Sequence, residues 1–522
     1  MRATAASPSP APRHRHGGVV SSCPWVAGAA VATRGESSGK CSPGRDAVPR
    51  HRTTAAPRCT AAGPVTSAAM PTRIVIIGGG PAGNSCATTA ARLGADVTLI
   101  ERDVIGGAAH LNDCIPSKAM IATGNARQFV RRAGRMGLGE VGSEVDLEHL
   151  ALRLRTIEGR LESQVRSLLA SQHVNLIHGS GTIIDEHTVR SVSDQGTFDH
   201  QADIIVLATG SRPRIPDWAP IDGDRIMTTR DAYPPKSLPS HAIVIGSGVT
   251  GVEFVHLFES MGCEVTLVVS RQQVLPGKDA EVAAALEEDF LRRGVRLFKG
   301  ARAIGIDRDG DDVIVNCDDG RIARGSHVLL AIGSIPNSEE LGLANAGVEV
   351  DGGYVPVDMN LVSNVPHIYA AGDLSGRLPL SSVASMQGRK IAEHAMGALH
   401  PERSRLIDYD KAASAIFTEP EIADVGLAEA DAFSEGRKVR VTKVPFASAA
   451  KALINDDSRG FVKIVSDPAT GVVLGGSIVG RHAAELISVL AVAVTNGLTV
   501  SDIHESLLVH PTLAEALSEA AE

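Results

Sequence analysis

Ile74-Val75-Ile76-Ile77-Gly78-Gly79-Gly80-Pro81-Ala82-Gly83 decides the fold of this chain. Four branched apolar residues in a row predict a strand buried on both faces, as in a parallel sheet. Glycines at 78, 80 and 83 follow at once, and a helix-compatible stretch runs through Ala90-Ala91-Arg92-Leu93 to Gly94. A second strand, Asp96-Val97-Thr98-Leu99-Ile100, ends at Glu101. Strand, glycine loop, helix, strand and terminal acid make a dinucleotide-binding unit. Gly78 permits the tight turn, Gly80 lets the backbone approach a pyrophosphate, and Gly83 lets helix and strand pack closely. The helix N-terminus faces the phosphates, and Glu101 is placed to bond the adenosine ribose. A lone glycine fingerprint also suits a structural turn; the complete unit favours the nucleotide.

The pattern recurs. His241-Ala242-Ile243-Val244-Ile245 leads into Gly246-Ser247-Gly248-Val249-Thr250-Gly251, and a helix through Phe254–Phe258 stops at Gly262. The next strand, Cys263-Glu264-Val265-Thr266-Leu267-Val268-Val269, ends on Ser270-Arg271-Gln272 instead of an acid. Two units imply two nucleotides, one flavin and one nicotinamide. An acid at the strand end would repel the 2'-phosphate of NADP. Ser270 removes that repulsion and Arg271 can meet the phosphate. The alternative reading of Arg271 is a solvated surface side chain. NADPH, alongside NADH, is the expected donor.

The 522 residues leave room for two to four domains. A net charge of -9 gives no basic footprint for nucleic acid. No stretch approaches the roughly 20 apolar residues of a spanning helix, so membrane contact would be peripheral at most. The seven cysteines are widely spaced, which excludes a disulfide framework or metal-ligand spacing. A reducing, cytoplasmic compartment and no metal are expected. Residues 1–69 are acid-poor, without apolar periodicity, and cannot offset their ordering entropy. They read as a disordered extension: a transit peptide, or a mis-assigned start with translation beginning at Met70. The second reading is preferred because Met70 leads straight into the first strand.

A further segment carries the chemistry: Gly106-Gly107-Ala108-Ala109-His110-Leu111-Asn112-Asp113-Cys114-Ile115-Pro116-Ser117-Lys118. It resembles the redox-active segment of the flavin disulfide reductases, the class I pyridine nucleotide-disulfide oxidoreductases that include lipoamide dehydrogenase, glutathione reductase and mercuric reductase. In that family two cysteines form a disulfide over the flavin. Here the second is Cys114 and the first falls on Ala109.

Other motifs of the family follow in order. Ala208-Thr209-Gly210 resembles the turn closing the first half of the FAD domain, and Ala331-Ile332-Gly333-Ser334 the turn closing the nicotinamide domain. Ala371-Gly372-Asp373 resembles the second FAD motif, whose Asp bonds the ribityl chain. His510-Pro511-Thr512-Leu513-Ala514-Glu515 matches the terminal His-Pro-Thr motif with its Glu. The resemblance covers residues 70 to 522. Within the family the chain looks like the actinobacterial NAD(P)H:quinone reductases, which share the Gly-Gly-Ala-Ala opening, the Asp-Cys pair and the missing first cysteine. It departs from the compared quinone reductase in keeping His510.

The resemblance implies an α/β fold with two Rossmann-like domains and a C-terminal α+β dimerisation domain. Residues 70–215 and 339–405 would bind FAD, residues 216–338 NAD(P), and residues 406–522 would form a homodimer. Lys118 would sit near the flavin and pair with Glu253, either stabilising the reduced flavin or locking two domains. Cys114, at the start of a predicted helix, would favour thiolate and tune the flavin, or persist as a core residue. His510, oriented by Glu515 and supplied by the other subunit, would protonate a quinone, or be a remnant.

The expected activity is FAD-dependent transfer of electrons from NAD(P)H to a quinone or similar two-electron acceptor. Alternatives are a pyridine nucleotide transhydrogenase, a single-cysteine peroxide or mixed-disulfide reductase, and a non-catalytic flavin-bound partner.

Overall fold

The computed structural model describes residues 70–139, 142–399 and 406–522. Residues 1–69, and with them both readings of the N-terminal segment, lie outside the described residues.

The opening run forms β1 (Arg73–Ile77), buried from Ile74 onward. It pairs in parallel with β2 (Asp96–Glu101) on one side and Ile204–Leu207 on the other. Both faces are covered, which is why the run reads as continuous apolar residues without alternation. Around this centre the sheet holds seven strands, ordered Ile368–Ala370, Ile204–Leu207, β1, β2, Asn175–Asp185, Thr188–Ser193, Gly196–Gln201. Helix α1 (Pro81–Arg92) crosses between β1 and β2 with proline in its first turn, where the missing N–H costs no hydrogen bond.

The second sheet has five parallel strands: Arg296–Lys299, Glu264–Val269, His241–Ile245, His327–Leu330, Ile226–Thr228. The third is antiparallel, ordered Ser414–Ile416, Glu421–Gly426, Val473–Gly480, Phe461–Ser466, Arg440–Pro445. Helix Ala483–Asn496 packs its apolar side on that sheet, burying Ile487 and Leu490.

Two long helices fix the site. α2 (Ile115–Arg132) follows the redox segment, and α3 (Leu147–Ser171) is capped by Asp146, whose carboxylate accepts from the His149 N–H. α2 crosses α4 (Val249–Ser260), the helix of the second glycine loop, at Gly124. A Cβ at Gly124 would collide with Ser260, so glycine sets the helix separation. Asn125 and His256 bond across the crossing at 2.8 Å, and Gln128 donates to Glu259 at 2.9 Å.

The segments leading into and out of the second sheet meet. Ser211–Pro213 and Ser334–Pro336 form a two-stranded antiparallel ladder. Beside it, Thr209 Oγ1 donates to the Asn337 carbonyl at 2.7 Å and Asn337 Nδ2 donates to the Thr209 carbonyl at 2.9 Å.

Candidate active site

The first glycine loop is shaped by close backbone approach. Gly78 adopts φ +106°, and a Cβ there would run into the Ala208 carbonyl. A Cβ at Gly83 would run into the Gly78 carbonyl, so α1 lies directly on the loop. The middle glycine differs: a Cβ at Gly80 would meet nothing nearer than Gly107 Cα, 3.8 Å away. This is the open side a pyrophosphate needs. Glu101 closes the loop, accepting from Gly79 N–H at 2.6 Å and Asp103 N–H at 2.7 Å. Carboxylate oxygens have further lone pairs for ribose hydroxyls. A cavity of about 730 Å³ opens here, lined by Gly78, Glu101, Arg102, Thr209 and Arg212.

Asp373 follows the edge strand Ile368–Ala370 of the seven-stranded sheet and accepts from Ser211 Oγ at 2.6 Å. Gly372 N–H beside it donates to Gln387 Oε1 at 2.7 Å. The buried Oδ1 atoms of Asn84 and Asp113 have no partner, and an unpaired buried acceptor is costly. A loop open at its middle glycine and two orphaned buried polar atoms, one on α1 and one in the redox segment, fit FAD.

The second loop repeats the geometry. Gly246 has φ +112° and abuts the Ala331 carbonyl, Gly251 abuts the Gly246 carbonyl, and a Cβ at Gly248 would meet nothing within 4 Å. A Cβ at Gly333 would also meet open space. Ser270 and Arg271 are exposed at the strand end, and the Arg271 side chain has no hydrogen bond or ion pair among the described residues. Lys299 nearby is held by Glu287 at 2.7 Å.

The redox segment departs from a simple helix start. Residues Ala109–Cys114 form one π-helical turn that runs without a break into α2. Cys114 thus directly precedes α2, as expected, but with a helical turn already ahead of it. The turn's own carbonyls precede Cys114, so its sulfur does not face the unsatisfied N–H groups of a helix N-terminus. Burial pushes its thiol up, with Lys118 pulling the other way.

One turn on, Lys118 Nζ bonds Glu253 Oε2 at 2.9 Å. Glu253 is 5% exposed, and its other oxygen accepts from Phe417 N–H at 3.0 Å. The Lys118 ammonium also lies 5.0 Å from the Phe417 ring centroid. Three separate parts of the chain therefore converge on one ion pair.

His510 Nδ1 lies 2.7 Å from Glu515 Oε1, and Glu515 Oε2 accepts from Thr512 N–H at 2.9 Å. The imidazole beside it holds the Glu515 carboxyl below its usual range. The imidazole is otherwise solvent-facing, and within one chain no bond among the described residues links this pair to Cys114 or Lys118.

Sequence reasoning missed the partners of the redox segment. Arg230 bonds Asp113 at 3.1 Å and the Ser211 carbonyl at 3.2 Å, tying the redox segment to the residue that holds Asp373. The half-buried Tyr233 phenol, pushed up by desolvation and then by Asp113, also bonds Ser117. No local motif marks Arg230 or Tyr233; the one available signal was the charge of Asp113 inside an apolar segment. Cys86, Cys263 and Cys317 are buried and free.

Residues 72–388 match the family described as pyridine nucleotide-disulphide oxidoreductase, and residues 412–521 its dimerisation domain. The chain belongs to this family of oxidoreductases, whose members use FAD and NAD(P)H. It is 42% identical over 466 residues to an NAD(P)H dehydrogenase (quinone) of Mycobacterium tuberculosis, covering 87% of this chain and 94% of that one. A dihydrolipoyl dehydrogenase of Chlamydia muridarum is 36% identical over 450 residues, covering 86% and 95%. The crystal structure of LpdA from M. tuberculosis superposes with a TM-score of 0.82 at 42% identity, covering 86% and 99%. Among the described residues no helix is long and apolar enough to cross a membrane.

Proposed function

We propose that this chain is an NAD(P)H:quinone oxidoreductase working without a redox-active disulfide. The carrying observation is Cys114 alone at one end of a π turn whose other end is the exposed Ala109. Bound FAD supplies the hydride acceptor and donor between nucleotide and quinone. Thr209, Gly210, Gly372 and Asp373 line its place, with Gly78, Gly80, Gly83 and Glu101. Gly246, Gly248, Gly251, Gly333, Ser270 and Arg271 take the nicotinamide nucleotide. Lys118, held rigid by Glu253, presents a fixed positive charge one turn from Cys114, where negative charge collects on reduction. His510 bonds Glu515 through Nδ1, which leaves Nε2 to deliver a proton to the quinone oxygen. In a homodimer of this kind that proton crosses to the partner's site. The free buried thiols accord with a cytoplasmic, reducing setting.

Anaerobic titration tests the reading. NADPH should bleach the flavin absorbance, and menadione should restore it. Cys114→Ser should retain both phases, since no thiol exchange is required. Recovery with a peroxide, a disulfide or an oxidised nucleotide but not with menadione would replace quinone as the acceptor. Flavin left unbleached by both NADPH and NADH would remove the enzyme assignment.

Arg271 sets the donor preference. Arg271→Glu should raise KM for NADPH by about 10- to 100-fold, the worth of a charge-assisted phosphate contact, and leave NADH nearly untouched. Equal effects on the two nucleotides would return Arg271 to the solvated surface.

A further inference from the structure

Away from both glycine loops lies a second cavity, of about 560 Å³. It opens between the C-terminal end of α2, residues 289–293 and the loop 456–459, and its volume falls in the range of ligand pockets. Its wall holds Arg131, Arg132, Arg135, Arg292, Arg293 and Arg459 against four carboxylates, a positive excess in a chain of net charge -9.

Part of this charge is spent internally. Arg459 bonds Asp289 at 3.0 Å, Glu419 at 2.8 Å and Asp457 at 2.8 Å. Arg293 pairs with Glu259 and Asp289, and Arg132 with Glu419. Arg131 and Arg135 have no hydrogen bond or ion pair among the described residues, and both are exposed. The buried Nε of Arg293 is likewise without a partner. Burial, and then the positive charge of Arg459, Arg132 and Arg131, bring the Arg293 guanidinium down to about 10 although Glu419 opposes them. At its centre Arg132, Arg292, Arg293 and Arg459 are matched by Glu259, Asp289, Glu419 and Asp457, with Glu419 Oε2 as well as Arg293 Nε left unpartnered, so the unspent positive charge stands at the rim, on Arg131 and Arg135. A lock between packed elements would require neither the open volume nor the two unpaired guanidiniums.

We propose that this cavity is a binding site for a small molecule bearing a di- or triphosphate, with Arg131 and Arg135 as its principal ligands. Planar guanidinium forks match phosphate oxygens in pairs, and clustered arginines exceed a single phosphate's need. The site is separate from the nucleotide loops, where backbone amides and a helix N-terminus perform that task.

The test uses the FAD-loaded protein saturated with NADP+, so that the nicotinamide site is filled, titrated calorimetrically with pyrophosphate at low salt. Saturable binding at one further site per chain is expected, weakened about tenfold or more in Arg131→Ala/Arg135→Ala. Both side chains are exposed and unpaired, so the variant keeps its fold, checked by an unchanged melting temperature. Absence of saturable heat in the parent protein overturns the proposal. So does equal binding by the double variant, and so does citrate binding as tightly as pyrophosphate.

Discussion

Lys118→Met should cost about 3 kcal/mol of stability, the lower end of the range for stranding one partner of a buried ion pair. The loss arises at Glu253, not at Lys118. Glu253 is buried to 5% exposure and shares its two oxygens between Lys118 and Phe417 N–H. Methionine fills the lysine stem's volume but leaves the carboxylate with one partner in a low-dielectric crossing of α2 and α4. The lower end applies because the Lys118 side chain keeps 27% exposure and the Phe417 bond survives. Glu253→Gln added to Lys118→Met should recover roughly half of the loss, since removing both charges avoids the stranded one. Thermal unfolding at fixed FAD concentration measures both variants. A melting temperature unchanged in the single variant, or a double variant worse than the single, would show that the pair carries no such burden. The same single variant should slow flavin bleaching by NADPH, because the fixed charge beside Cys114 is gone.

Ala109→Cys should turn the chain into a dithiol enzyme. Ala109 and Cys114 stand at the two ends of one π turn, in which residues five apart lie one above the other. That is the separation a disulfide spans, about 4.4–6.8 Å between Cα atoms. Ala109 is exposed, so a sulfur there displaces no packed neighbour. His510 and Glu515 are already paired at 2.7 Å, so a base with its orienting carboxylate is preformed within the C-terminal segment. The air-oxidised variant should titrate with two fewer thiols than its reduced form, and NADH-dependent disulfide reduction, absent in the parent, should appear. If the oxidised variant keeps both thiols free, the turn does not hold them in register. The gain would make the loss of one cysteine the principal difference in acceptor chemistry between this chain and its dihydrolipoyl dehydrogenase relatives.

The parts legible in the sequence are those governed by local rules. The glycines at 78, 80 and 83 could be read because their spacing is fixed by a single strand-turn-helix unit, and β1 because an all-apolar run states burial on both faces. Lys118 and Glu253 were readable only through resemblance, since 135 residues separate them and no pattern in the chain joins them. Arg230, Tyr233 and the paired turns at Thr209 and Asn337 were out of reach for the same reason: their partners are set by tertiary packing. Cys114 was legible in part. Local propensity sees a helix beginning near proline at 116, while the structure starts its helical turn at Ala109 with wider hydrogen bonding. The direction inferred for the thiol is opposed by burial, which pushes it up while Lys118 pulls it down.

The ladder between Ser211–Pro213 and Ser334–Pro336 has an engineering meaning. The segment from Arg214 to Gly333 leaves the seven-stranded sheet and returns to it one strand spacing away, about 4.8 Å. It is a cassette with both ends in one doorway. Exchanging it for the corresponding segment of a relative with opposite nucleotide preference would leave the flavin-binding sheet uncut. The grafting points would be Arg212 and Ile335, which already face each other. The α2–α4 crossing, the Lys118–Glu253 and Arg230–Asp113 bonds, and the ion pairs that Lys278, Asp279, Glu281 and Asp289 make with the third sheet and its loops would have to be matched across the new seam.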